Sequence, residues 1–242
     1  MNEEFDKRIR ELCAYAVNRG VARFTDFLSP SALKRAKTLA AAAKCDFCEW
    51  GGAEWAERKI MGFGSAVGDF PLVILRIAPK NPRFFAPLTH RDYLGAILGA
   101  GIKRDKVGDI FVSGDTAYAV VADTVANAVE KIDAVGGNSV KTERAETVPE
   151  ETRPKSETRR IVASSMRADV IVSRVFSLSR LDAGAYIKNS RVALNGTLLA
   201  KDEKRLSVGD VVSVRGKGKF RLLAVEGNTK KDKILLLVEI FS

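Results

Sequence analysis

Between Met166 and Leu223 lie the side chains best suited to hold a polyanion: Arg167, Arg174, Ser179, Arg180, Lys188, Arg191, Arg215, Lys217, Lys219 and Arg221. Guanidinium and ammonium groups neutralise phosphates, and a helix start adds backbone N–H donors. Gly216 and Gly218, set between the cations, would let a phosphate backbone approach closely. Other chemistry-bearing residues are sparse. Cys45-Asp46-Phe47-Cys48 is a C-x-x-C, but a structural zinc site needs four ligands and no second pair exists. Cys13 and His90 are the only other soft ligands, so two ordinary strand cysteines are the expectation. His90, the single histidine, stands at a helix start followed by Arg91-Asp92, and it reads as a structural or surface residue before a general base. No catalytic residue, metal site or cofactor is expected.

The cations need elements to hold them. Val170, Ile171, Val175 and Phe176 recur at helical spacing and predict a helix over 166–176. Ser177-Leu178-Ser179 breaks it. Ser179 then caps a second helix, with Asp182 in its first turn and Leu181, Ala185, Tyr186 and Ile187 on its buried face. Val192 and Leu194 alternate into Asn195-Gly196, a hairpin signal because both turn positions need positive φ. Val208-Gly209-Asp210 is a second turn. Val211 to Arg221 reads as one strand carrying the last four cations, and Ile234 to Phe241 closes the small sheet after a basic turn, Lys230-Lys231-Asp232-Lys233.

Upstream, residues 2–20 and 31–43 read as amphipathic helices, followed by a hairpin or strand-loop-strand from Cys45 to Met61. Phe70 to Ile77 is a near-continuous apolar run, the mark of a buried strand. Then come a helix from His90 to Leu98, strands 107–112 and 117–121 about Ser113-Gly114-Asp115, a helix from Val125 to Val135 stopped by Gly136-Gly137, and a strand 139–142. Strand, helix, strand, strand, helix, strand is the split βαβ arrangement of a ferredoxin-like (RRM-like) domain. The aromatic strand motif for stacking bases is absent; Phe111 and Tyr118 are the only candidates. Lys103, Arg104 and Lys106 form a weaker basic loop. Residues 145–160, with two prolines and many charges, read as a linker. The fold class is therefore α+β: N-terminal helices and hairpin over 1–68, the ferredoxin-like domain over 69–145, a linker over 146–163, and the basic module over 164–242.

Charge follows the same division. The 242 residues carry a net +10, but residues 1–150 hold 21 Lys+Arg against 20 Asp+Glu, and residues 151–242 hold 19 against 10. Such asymmetry favours a polyanion partner, nucleic acid before an anionic membrane. No apolar run reaches the roughly 18 residues of a membrane span. An odd cysteine count argues against a disulfide framework and for a cytoplasmic protein.

The C-terminal stretch resembles the S4-type RNA-binding domain. The matching signatures are Arg167-Ala168-Asp169 opening the first helix, Ser179-Arg180 opening the second, Val192 to Gly196 as V-x-x-N-G, and Gly209-Asp210. Ala168 stands where that family usually has Leu, and Asn189-Ser190 where it has Lys-Gly, so Asn189 is expected to take the left-handed conformation in place of Gly. Arg180-Leu181-Asp182 is similar to the tripeptide whose Asp is catalytic in pseudouridine synthases. Here it falls inside the second helix, where Asp182 fits as a first-turn carboxylate.

A second resemblance runs from about residue 24 to the end. Gly51-Gly52, Ala56-Glu57-Arg58-Lys59, His90 to Gly95, Gly101-Ile102-Lys103-Arg104 and Gly108-Asp109-Ile110 look like signatures of the bacterial YlmH family. That resemblance implies a small cytoplasmic protein encoded near cell-division genes, without catalytic activity. It implies ribosomal RNA and tRNA on the large ribosomal subunit as partners, and a role in ribosome-associated quality control through support of alanine tailing. A monomer without a membrane partner is the expectation. Two other readings stay open: an RNA-modifying enzyme such as a pseudouridine synthase relative, and a cell-division-linked adaptor whose RNA binding is secondary.

Overall fold

Helix starts and turn residues fix most element boundaries. In the computed structural model the described residues are 3–65, 67–229 and 232–241, so Lys230 and Lys231 of the expected basic turn lie outside them. Six α-helices and three antiparallel sheets are present among these residues. The chain divides into two units, Met1–Arg153 and Pro154–Ser242.

The first unit begins with α1 (Glu3–Arg19), β1 (Arg23–Phe24), α2 (Pro30–Ala42), β2 (Phe47–Trp50) and β3 (Ile60–Phe63), the strands ordered β1-β3-β2. Ser29 caps α2 and Pro30 occupies its first turn, where a missing N–H costs nothing. Ile9, Cys13 and Ala16 of α1 pack on Leu33, Ala36 and Ala40 of α2 and on Met61 and Phe63. It continues with β4 (Leu72–Pro79), α3 (His90–Gly99), β5 (Val107–Ser113), β6 (Thr116–Ala122), α4 (Asp123–Glu130), β7 (Ala134–Val135) and β8 (Asn138–Ala145). Their sheet runs β5-β6-β4-β8-β7, every pairing antiparallel. Tyr93 and Ile97 of α3 and Ala126 and Val129 of α4 bury one face of it.

The other face is covered by the N-terminal segment, which is why residues 1–68 and 69–145, expected as separate domains, fall in one unit. Phe27, Ala53, Ala56 and Ile60 pack on Ile74, Phe111, Val120 and Ala122. The helix expected to reach Val135 stops at Glu130. Gly136 and Gly137, at φ +55° and +82°, make a β7–β8 hairpin instead of a helix stop.

The second unit holds β9 (Ser156–Ala163), α5 (Ala168–Val175), α6 (Arg180–Lys188), β10 (Val192–Leu194), β11 (Thr197–Leu198), β12 (Val211–Val214), β13 (Gly218–Asn228) and β14 (Ile234–Phe241). One sheet runs β11-β10-β12-β13-β14-β9. Residues 156–163, expected as linker, are thus an edge strand paired along all of β14. Only Ile161 and Ala163 of its eight residues are buried, so its sequence carries almost no strand signal. The single strand expected over 211–221 is a hairpin of β12 and β13. Ser190 at φ +55°, and not Asn189 at φ −83°, is the left-handed residue after α6. Of the face expected to be buried on α6, Ile187 is buried and Tyr186 half-buried, but Leu181 is 87% exposed and Ala185 is exposed; Ala183 and Gly184 are buried in their place.

Candidate nucleic-acid interface

Asp169, only 4% exposed, sits in the first turn of α5. It accepts hydrogen bonds from Arg167 Nε (2.9 Å) and Nη2 (3.2 Å) and from Arg180 Nη2 (3.0 Å). Burial pushes its pKa up, but the two guanidiniums outweigh that and hold it below the usual carboxylate range. Arg167 also reaches Glu203 at 3.4 Å. The Arg-Ala-Asp and Ser-Arg signatures are therefore two halves of one clamp tying α5 to α6. Arg167 is committed to it, while the Arg180 side chain remains 61% exposed. Ser179 caps α6: its hydroxyl donates to Asp182 Oδ2 (2.7 Å) and accepts from the Asp182 N–H (3.0 Å). This is the first-turn role expected of Asp182.

Between the helices lies a cleft of about 410 Å³ lined by Ser173, Arg174, Ser177, Leu178 and Arg180. Ser177, at φ +53°, turns the chain from α5 toward α6. The Ser173 hydroxyl donates to the Val170 carbonyl, whereas Arg174 is exposed and has no partner among the described residues. The β12–β13 tip carries Arg215 and Lys217, both exposed. Gly216 and Gly218, at φ +78° and +117°, make this turn possible. A Cβ on Gly218 would lie 3.6 Å from the Phe176 ring, so the tip packs beside the residue that ends α5. The Arg215 N–H donates to the Arg191 carbonyl (2.8 Å), and the Arg191 guanidinium lies 5.7 Å from the Tyr186 ring. Lys188 is exposed in the last turn of α6.

The fold thus gathers Arg174, Ser179 and Arg180 at the cleft and links Arg191 with Arg215 and Lys217 at the tip. Lys219 and Arg221 face the other way, beside Phe241. Three cations were missed. Lys201, Lys204 and Arg205 are exposed in a loop whose Lys204 and Asp202 carbonyls accept the Ala168 and Asp169 N–H groups at the start of α5. Their signal was the charge run Lys201-Asp202-Glu203-Lys204-Arg205.

In the first unit the two stacking candidates do not present an open platform. Phe111 is buried edge-on beneath Trp55, ring centres 6.0 Å apart, and Tyr118 is half-buried next to it. The basic loop also turns inward. Arg104 donates to the Val107 and Gly108 carbonyls, Lys106 pairs with Asp26 (2.5 Å), and only Lys103 is exposed. Arg58 donates to the Phe27, Arg104 and Val107 carbonyls, and burial lowers its pKa. Asp109 accepts the Glu57 and Arg58 N–H groups at 2.5 and 3.0 Å; burial pushes its pKa up despite those bonds. Burial likewise lowers the His90 pKa, helped by Arg104. The carboxylate of Asp92 reaches back to the Thr89 N–H and hydroxyl at the start of α3. Cys45 is buried, its thiol directed to the Asp46 (3.4 Å) and Cys13 (4.0 Å) carbonyls, while Cys48 is exposed, and both are free thiols. Burial beside Cys45 pushes the Cys13 thiol up to about 12.

Residues 66–148 match the family model described as "Putative RNA-binding domain in YlmH". The chain is 29% identical over 221 residues to the ribosome-associated protein quality control protein P2 of Bacillus subtilis (strain 168), covering 87% of this chain and 84% of that protein. Its fold is similar to that of the cell division protein ylmH from Streptococcus pneumoniae, with a TM-score of 0.51 and 18% identity over 58% of this chain and 88% of that one. Residues 66–148 are thus similar to the RNA-binding domain of YlmH, and the similarity to the quality-control protein runs through most of both sequences.

Proposed function

We propose that this chain is a noncatalytic, cytoplasmic RNA-binding protein that works on the ribosome as a monomer. It contacts ribosomal RNA and tRNA on the large subunit and supports alanine tailing of stalled chains in ribosome-associated quality control. The observation that carries the reading is the cluster of cations around the α5–α6 turn and the β12–β13 tip. Arg174, Lys188, Arg215 and Lys217 are exposed and have no acidic partner among the described residues, on a unit of excess positive charge. Cations left unpaired on a rigid scaffold suit phosphates whose positions are fixed by RNA shape. The two-helix, two-hairpin order of the second unit fits an S4-type module. The βαββαβ order of the first unit, with β4 and β6 at the centre of its four main strands, fits a ferredoxin-like domain whose sheet is covered on one face by the N-terminal segment. The relative's ribosomal role supports the same assignment.

The test is sucrose-gradient sedimentation of the tagged protein from its own lysate beside Arg174→Ala/Lys217→Ala, with sequencing of bound RNA. Co-migration with large subunits that carry tRNA, lost in the double variant, is the expected result. A protein that stays at the top of the gradient sinks the proposal and favours an adaptor whose main partner is protein.

A further inference from the structure

The strands beyond the cleft hold a second group of aromatic and cationic side chains. Lys219 and Phe241 stand directly opposite each other on β13 and β14, and Arg221 is two residues along on the same face. The Lys219 ammonium lies 4.8 Å from the centre of the Phe241 ring, and the Arg221 guanidinium 5.5 Å. Phe220 and Leu222 alternate into the core, so these three side chains point away from α5 and α6. Phe241 belongs to none of the hydrophobic clusters, although Phe220 and Phe176, its neighbours at the same end of the sheet, both do. A large aromatic ring kept off the core and layered with two cations is the side-chain chemistry that takes an unpaired base.

We infer that Phe241, with Lys219 and Arg221, is a stacking subsite for a single-stranded nucleotide of the RNA held at the cleft. The base lies on the ring–guanidinium layer, and the cations meet the phosphates on either side of it. Every base has a π-face, so the subsite takes any base and selects single strand over duplex. Glu239, on the same face, accepts the Ser156 hydroxyl at 2.9 Å and pairs with Arg221 at 3.3 Å. Its charge is offset there, and it keeps the guanidinium beside the ring. The path from the cleft is short. A Cβ on Gly218 would touch the Phe241 carbonyl oxygen at 3.4 Å and the Phe176 ring at 3.6 Å, and Ser177, next to Phe176, lines the cleft. The exposed cations Arg215 and Lys217 stand in the turn just before Gly218.

This inference rests on the proposed RNA binding and is separable from it. Full-length protein is titrated with a short RNA hairpin, blunt or extended by a single-stranded tail containing 2-aminopurine. Wild type should bind the tailed hairpin about tenfold more tightly, with the probe's fluorescence quenched. Phe241→Leu, which keeps an apolar side chain at the position, should lose that tenfold and the quenching while binding the blunt hairpin as wild type does. Wild type binding both hairpins alike, with no quenching, overturns the stacking subsite and leaves the cleft reading standing. Wild type binding neither RNA overturns both.

Discussion

Arg180 carries two roles that one substitution can separate. Its guanidinium gives one N–H to the buried Asp169 and keeps most of its surface at the cleft. In Arg180→Ala, Asp169 retains both bonds from Arg167, at 2.9 and 3.2 Å, so the carboxylate is not orphaned. The lost pair is largely solvent-exposed on the arginine side, and such pairs contribute about 1 kcal/mol or less. The RNA-binding effect is of a different kind. One phosphate contact lowers the slope of log K against log salt by about 0.7 to 0.9. Over a fourfold rise in salt, that slope corresponds to about a threefold difference in affinity. The assay is fluorescence anisotropy of a labelled RNA hairpin across a salt series, with urea unfolding of the same protein in parallel. A shallower slope with a stability loss of about 1 kcal/mol or less is expected. An unchanged slope with lowered stability would leave Arg180 as a clamp residue only and refute its place in the interface.

Two further substitutions test the covering of the first unit's sheet. Gly52, at φ +84°, would place a Cβ 2.8 Å from Val120, so Gly52→Ala should destabilise by about 1–3 kcal/mol in urea unfolding. Gly99→Ala, with nothing within 4 Å, should be neutral or slightly stabilising, and equal effects at the two sites would contradict the packing argument. Asp109 has a raised pKa in the fold, so its contribution is complete below the ordinary carboxylate value of about 3.9 and is lost as pH rises through the folded value. Asp109→Asn removes that dependence. The variant's stability relative to wild type should therefore improve as pH rises from about 4 through the raised value, and parallel pH profiles would show that Asp109 is not titrating as argued.

The elements most legible in the sequence are those whose turns demand a particular backbone. Asn195-Gly196 predicts a hairpin because both residues need positive φ, and they stand at +51° and +78°. Ser179 and Thr89 announce helix starts for a similar reason: their side chains suit the unpaired groups at a helix N-terminus. Edge strand β9 was illegible because an edge buries little, and six of its eight residues are exposed. The covering of the central sheet was illegible for another reason. Phe111 and Tyr118 look the same in sequence whether they face solvent or Trp55, and only the packing of the 51–58 loop decides between the two. Charge type was readable throughout, but not whether a given arginine meets an acid. Arg104 and Lys106 look as free as Lys103 along the chain, yet both are turned onto partners.

The recognisable signatures of the basic module hold its frame. Arg-Ala-Asp and Ser-Arg close on each other through Asp169. Asn-Gly and Gly-Asp do the same through Asp210, 8% exposed and fifteen residues beyond Asn195. The Asn195 side-chain N–H₂ donates to Asp210 Oδ1 (2.8 Å), the Val211 N–H donates to Asn195 Oδ1 (2.9 Å), and the Ser207 N–H donates to Asp210 Oδ2 (2.8 Å). Asn195 is therefore a turn-former tied to the next turn and not a base reader. Buried carboxylates of this kind cannot be left without donors, because a buried charge stripped of its partners destabilises the fold by more than the bond itself contributes. Apart from Arg180, whose side chain stays mostly exposed, the residues free to meet RNA are ones the signatures leave unspecified: Arg174, Lys188, Lys201, Lys204, Arg215 and Lys217. Substituting a signature residue held wholly within a lock, such as Arg167 or Asn195, mainly perturbs the scaffold, and an affinity lost that way says little about contact. Arg174 and Lys217, exposed and outside both locks, are the positions where lost affinity reports on the interface.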